Sequence, residues 1–400
     1  MKVFLKQLFF IPVICILFPS CSSSDENEYE PIPEDEYPNV TAAFGANLDL
    51  ANLYNYANQA VPNYITKDNS VPNPITDKGA TLGRVLFYDK NLSSNNTISC
   101  ASCHQQANAF SDSNTASTGV NGTTPRHSMR LVNSRFARES KFFWDERATT
   151  LEFQTTQPIQ NHIEMGFSGT EGDQNMSGLI AKLNAIPYYK ELFKFAYGTE
   201  GITENKIQLA LAQFVRSIQS FDSKYDIGRA QVANDGQPFP NFSQQENNGK
   251  NLFLTAPVFD ATGNRTSGGL GCAACHAAPE FDIDPNSKNN GIIGTLEGTG
   301  IDITITRAPS LRDLVKQDGT LNGNFMHTGV ITSLQAAIGH YGTINVAPGN
   351  TNLDPRLMPN GHGQQLHLTA NEVNGVIAFL RTLSGSNVYT DPKWSSPFPN

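Results

Sequence analysis

The chain has 400 residues, 38% of them hydrophobic and 16% charged, which is enough apolar side chain to bury more than one core. That length suggests two or three domains. The formal charge of −9 argues against nucleic acid as a partner.

From the N-terminus, Lys2 and Lys6 precede an apolar run from Leu8 to Phe18. The run is shorter than the ~20 residues a spanning helix needs, so it reads as an export signal. It ends in Leu17-Phe-Pro-Ser-Cys21, similar to a lipobox whose cysteine would be lipidated. Phe18 and Pro19 are not the usual small or aliphatic residues there, and ordinary cleavage nearby is the alternative. Residues 1–21 are therefore expected to be a signal peptide and 22–40 an acidic tether. The stretch 25–36 holds Asp25, Glu26, Glu28, Glu30, Glu34, Asp35 and Glu36 with no basic residue. An exported, periplasm-facing or surface protein follows, touching a membrane only through an N-terminal lipid.

Six cysteines then sort by position. Cys15 leaves with the signal and Cys21 is the lipid candidate. The other four form Cys100-Ala-Ser-Cys103-His104 and Cys272-Ala-Ala-Cys275-His276. Cys-x-x-Cys-His is the attachment signature of c-type haem: the thiols add to the vinyl groups and the histidine becomes the axial ligand. A zinc ribbon would need its cysteine pairs ~15–20 residues apart. Cys103 and Cys272 are 169 positions apart, and a histidine follows both pairs. Two covalently bound haems c are the expectation.

The surroundings repeat with the pentads. Gly83-Arg-Val-Leu-Phe87 precedes the first and Gly249-Lys-Asn-Leu-Phe253 the second. Phe110-Ser-Asp112 and Phe281-Asp282 follow, then Arg126-His-Ser-Met-Arg130 and Arg307-Ala-Pro-Ser-Leu-Arg312. Arginines at such points commonly hold haem propionates, which makes Arg126 and Arg307 candidates; a surface ion pair is the bland alternative.

Helical signals surround these landmarks. Ser243-x-x-Glu246 and Thr369-x-x-Glu372 are capping boxes. The second opens a helix through Val373, Val376, Ile377, Leu380 and Leu383, with Gly385 as its stop. Ile207, Leu211, Phe214, Ile218 and Phe221 mark a long amphipathic helix, and Leu334, Ile338 and Tyr341 another. No segment alternates convincingly as a strand. The expected fold is all-α, two cytochrome c-like haem domains in tandem over 41–225 and 226–386, with a C-terminal tail at 387–400.

Two haems alone mean electron transfer; catalysis needs an open iron and a group that moves protons. The segment after the first arginine run supplies candidates: Phe142-Phe-Trp-Asp-Glu-Arg147, Gln154 and Pro158-Ile-Gln-Asn-His-Ile-Glu-Met-Gly166. With Ala308-Pro-Ser-Leu-Arg312 and Met326-His-Thr-Gly329, this order resembles the bacterial dihaem cytochrome c peroxidase family, MauG-like proteins included. The resemblance runs from about Leu82 to Gly385. It implies that Trp144 passes electrons between the haems, that Gln154 lines the peroxide pocket and that Glu164 is the acid–base group. For Trp144 alone core packing would be the plainer reading, and for Glu164 a solvated helix position. The resemblance also implies an N-terminal peroxidatic haem and a C-terminal electron-accepting haem. Calcium between the domains and a homodimer are further implications.

One departure stands out. Many family members block the first haem with a histidine from the loop after the pentad, but Ser111 to Thr124 contains neither His nor Met. His127, just past it, is a weaker ligand candidate, with a hydrogen-bonded role the plainer reading. A permanently five-coordinate first haem is expected. For the second haem, the resemblance places Tyr341 at the position held by Met in typical peroxidases and by Tyr in MauG-like proteins, and Met358 is the rival. His340, His362 and His367 are remoter choices.

The leading reading is reduction of hydrogen peroxide to water, using electrons from a small exported donor such as a cytochrome or cupredoxin. MauG-like oxidation of a protein or organic substrate is the second reading. A non-catalytic dihaem electron carrier is the third.

Overall fold

The computed structural model describes residues 35–137, 141–283 and 285–399. The signal segment, Cys21 and most of the acidic tether lie outside the described residues. In chain order the helices are α1 (Pro38–Phe44), α2 (Asp77–Tyr88), α3 (Cys100–Cys103), α4 (Leu151–Thr155), α5 (Met176–Asn184) and α6 (Pro187–Tyr197). There follow α7 (Glu204–Ser217), α8 (Lys224–Arg229), α9 (Gln244–Leu254), α10 (Leu334–Gly342) and α11 (Ala370–Arg381). α1 therefore begins inside the stretch expected to be tether.

The ends of the long helices follow from local chemistry. The hydroxyls of Thr76 and Thr203 cap α2 and α7 by accepting from Gly79 and Lys206 N–H. Both expected capping boxes close, Ser243 with Glu246 on α9 and Thr369 with Glu372 on α11. α7 is shorter than its apolar spacing suggests. It stops at Ser217 because the chain turns extended at Ile218, whose carbonyl accepts from Asn133 N–H. Ser220 N–H then donates to the Asn133 side chain.

The two halves repeat one packing device. α2 crosses α7 at Gly83, where a Cβ would come within 2.0 Å of the Ala210 carbonyl. α9 crosses α11 at Gly249, where a Cβ would lie 1.9 Å from the Gly375 carbonyl. Only glycine lets the backbones approach this closely. Four residues on, Phe87 packs against Phe214 and Phe110 with ring centroids 5.1 and 6.0 Å away. Phe253 does the same with Phe379 and Phe281 at 5.2 and 5.7 Å. All six rings are buried, one trio in each of two hydrophobic cores.

The expectation of no strands is corrected. Two short antiparallel pairs are present: β1 (Pro257–Phe259) with β2 (Arg265–Gly268), and β3 (His276–Ala277) with β4 (Asp282–Ile283). They are too short and too poor in alternating apolar residues to show in the sequence. The molecule is helix-rich with these small sheets attached.

The segment expected to be a tail is structural. Val388 and Trp394 enter the first core, whereas the chain just before them belongs to the second. Tyr56 and Tyr88 hydroxyls donate to the Lys393 and Trp394 carbonyls, both at 2.6 Å, and Arg84 Nε donates to Ser395 O at 2.6 Å. Among the described residues no helix is long and apolar enough to cross a membrane.

Candidate haem centres

The second pentad opens onto a cavity of about 500 Å³, within the ~300–1,000 Å³ typical of cofactor sites. Cys272, Cys275 and His276 line it, together with Phe253, Leu270, Leu311, Phe325, Leu334, Ile338, Val376 and Leu380. Burial pulls the His276 pKa down to about 4, against the favourable pull of the Phe281 carbonyl. A neutral imidazole with apolar surroundings is the form that ligates iron.

Tyr341 is in this wall. Met358 is not, although Leu357 and Pro359 on either side of it are. Burial raises the Tyr341 pKa, with the pentad thiols adding to the effect and a hydrogen bond from Asn290 opposing it. The other histidines have partners elsewhere. His340 Nε2 donates to the Asn290 carbonyl at 2.8 Å, His367 Nε2 meets Asn264 Oδ1 at 2.8 Å, and His362 is exposed.

The two candidate arginines sit in different surroundings. Arg307 lines the cavity and hydrogen-bonds the Lys141 carbonyl. Arg126 is absent from the wall. Its guanidinium clamps Asp145 at 2.7 Å and Asp302 at 2.6 Å, joining the two halves by ion pairs. Two carboxylates therefore already answer its charge, which is the ion-pair alternative. Sequence reasoning quoted Arg130 only as the end of its run and passed over Arg356; both line the cavity. Arg356 pairs with Asp354 at 2.6 Å. Arg130 donates to the Arg312 and Ser310 carbonyls at 3.0 and 3.4 Å, and Asp313 and Tyr389 act on it only through space. A half-buried guanidinium without a contacting carboxylate among the described residues favours an anion beside it. A haem propionate is such an anion, and the thiols, imidazole, phenol and apolar wall fit the rest of a haem.

The first pentad offers the same set of two thiols and an imidazole. His104 Nδ1 lies 3.2 Å from the Phe110 carbonyl, leaving Nε2 for iron. Phe110 and Phe281 both have left-handed backbones, with φ of 58° and 56°, which aim their carbonyls. Those carbonyls accept from Leu131 and Leu311 N–H. Each pentad is thus braced by an aromatic residue and the arginine-bearing run beyond it.

Glu164 lies beside this pentad. Its charge acts on both Cys100 and Cys103, and burial raises its own pKa while Arg147 pulls it down. The backbone that presents it is fixed by Asn161 Oδ1, which accepts from Ile163 and Glu164 N–H at 2.9 and 3.0 Å. The loop after the pentad packs on the same segment. Val120 N–H donates to the Glu164 carbonyl at 3.0 Å, and Asn121 N–H donates to the Ile163 carbonyl at 3.2 Å. Gly119 permits this, since a Cβ there would meet the Ile163 carbonyl at 2.1 Å. Gln154 is half-buried on α4.

Trp144 is buried and lines the second cavity. Its backbone carbonyl accepts from Thr306 and Arg307 N–H, both at 3.0 Å. His127 also lines the second cavity. Its Nδ1 faces the Thr115 carbonyl at 3.2 Å and its N–H donates to the His327 carbonyl at 2.7 Å. Among the described residues no three His, Cys, Asp or Glu side chains form a metal-holding group.

A family model described as di-haem cytochrome c peroxidase matches residues 77–232, which includes the first pentad but not the second. The methylamine utilization protein MauG of Methylophilus methylotrophus is 30% identical over 355 residues, 84% of this chain and 93% of that protein. Cytochrome c551 peroxidase of Nitrosomonas europaea is 27% identical over 318 residues, 76% of this chain and 80% of that protein. Among solved structures, a MauG-like protein associated with microbial copper homeostasis is 28% identical with a TM-score of 0.64. The match covers 85% of this chain and 99% of that one. The diheme peroxidase BthA from Burkholderia thailandensis, at 20% identity, has a TM-score of 0.58 over 87% of this chain and 97% of its own, a likeness of fold alone.

Proposed function

The chain belongs to the di-haem cytochrome c peroxidase family, and we propose that it reduces hydrogen peroxide to water with electrons from a small exported carrier protein. Each peroxide takes up a pair of electrons and a pair of protons and leaves as water. When bound, the haems supply the redox chemistry, the C-terminal one receiving electrons and the N-terminal one meeting the oxidant.

Glu164 carries this reading. A carboxylate beside the first pentad, with its pKa raised by burial, can accept a peroxide proton and return it to the departing oxygen. Gln154 would orient the peroxide by hydrogen bonding. Trp144, set in the wall of the second cavity, would carry electrons towards the first half. The loop 111–124 contains no His or Met that could cap the first iron, and its bonds to residues 163 and 164 hold it on the Glu164 segment. These features support a first haem that is open without prior reduction. On this reading residues 41–225 form the peroxidatic domain and 226–386 the electron-accepting one. Calcium between them would need ligands other than three clustered acidic side chains among the described residues.

One observation favours a second reading, MauG-like oxidation of a protein or organic substrate: Tyr341, not Met358, lines the second cavity.

The test is peroxide-dependent oxidation of a reduced small cytochrome by the haem-loaded protein, beside Glu164→Gln. Turnover that falls by ~10²–10⁴ in the variant supports the peroxidase reading. No turnover despite a high-spin haem by EPR favours the second reading. An oxidised sample showing only low-spin haem rules out the open first site.

A further inference from the structure

Asn290 stands at the point where the second cavity meets two candidate ligands. Its side-chain nitrogen lies 3.1 Å from the Tyr341 hydroxyl and 3.1 Å from the Met326 sulfur. Tyr341 and Met326 both line the cavity that holds Cys272, Cys275 and His276. An amide NH₂ has two hydrogens, so one asparagine can donate to both groups at once. Its orientation is fixed from the other side, because Asn290 Oδ1 accepts from Ile292 N–H at 3.1 Å. The Asn290 carbonyl also accepts from His340 Nε2 at 2.8 Å, tying this loop to the helix that carries Tyr341.

We propose that Asn290 is a positioning residue that selects the sixth ligand of the second haem. It presents the Tyr341 oxygen and engages the Met326 sulfur, a second donor on the same cavity. A sulfur lone pair engaged by an N–H is less free for a metal. A hydrogen bond to a ligating oxygen fixes its orientation and tunes its donor strength. The choice matters because a thioether ligand raises a haem potential relative to an oxygen donor. Asn290 would therefore hold the potential of the electron-entry haem low. This inference rests on Tyr341 being the ligand in the unsubstituted protein.

The experiment uses the haem-loaded full chain, read by optical spectroscopy, EPR and potentiometric titration. The unsubstituted protein is measured first. A thioether-to-iron band there would overturn the Tyr341 reading itself, and with it the selection. Without that band, Asn290→Ala is expected to gain it and to shift the second haem's midpoint potential upward. Adding Met326→Leu to that variant is expected to abolish both changes. Asn290→Leu, similar in size, removes the donor while keeping packing, and serves if the alanine variant fails to load haem. An unchanged spectrum and potential in the haem-loaded Asn290 variant overturns the proposal. So does a thioether band that survives Met326→Leu.

Discussion

The indole Nε1 of Trp144 donates a 2.7 Å hydrogen bond to the backbone carbonyl of His127. The bond fixes the indole against a residue of the first arginine run while its own backbone holds the second, through Thr306 and Arg307. The Trp144 ring also meets His327 edge-on at 6.3 Å. Trp144 is thus part of the joint between the halves as well as an aromatic group on the second cavity.

Trp144→Phe keeps an aromatic ring but deletes the N–H, leaving a buried carbonyl unpaired at a cost of about 1–3 kcal/mol. Both haems should still load. Electron transfer between them, followed by stopped-flow after reduction of the second haem, should slow by roughly tenfold or more, a barrier increase of ~1.4 kcal/mol. An unchanged rate would leave the residue only its packing role.

Glu164 makes a pH-dependent prediction with a definite sign. Its folded pKa is raised by burial, so the folded state binds the proton more tightly than the unfolded chain. The ionised form therefore costs stability at neutral pH, and that cost disappears as pH falls below the unfolded carboxylate range. Glu164→Gln should unfold later than the unsubstituted protein in denaturant at pH 7–8, and the gap should close at low pH. Catalysis runs the other way, because the carboxylate must be ionised to accept a proton. Peroxide turnover should drop on acidification at a pH above the ordinary glutamate pKa of ~4.3.

The paired glycine crossings are a stability test of the internal repeat. Gly83→Ala and Gly249→Ala each push a methyl into a backbone carbonyl that cannot give way easily. Each should destabilise the protein by about 1–3 kcal/mol or more, read as a lower denaturation midpoint at unchanged slope. Gly201, with nothing near its Cβ position, is the control. Its alanine variant should be close to neutral.

Trp394 tests the closing segment. It is 2% exposed, packs in the first core, and its Nε1 donates to Ser217 Oγ at 3.3 Å. Trp394→Ala should cost about 3–5 kcal/mol and expose the first half, at the far end of the chain, to limited proteolysis. Cleavage confined to residues near the substitution would show that the segment is a tail after all.

Some of this molecule was written in short stretches of chain. A pentad attaches haem through residues that span five positions, and a capping box closes over four, so both are legible wherever they occur. The internal repeat was legible too, because Gly83 and Gly249 sit at the same offset from Phe87 and Phe253. The premature end of α7 was not, since Asn133 draws residues 218–220 out of the helix from a distant part of the chain. Nor was the division of the arginines. Arg126 meets Asp302, and Arg130 lines the second cavity, only after the halves have packed. The same holds for Tyr341 over Met358 in the cavity wall and for Trp394 in the first core. Sequence by itself determined the cofactor chemistry and the local helical frame, because covalent attachment and capping depend on near neighbours. Tertiary structure alone decided which charged and ligating side chains share a site, because that depends on contacts between residues far apart in the chain.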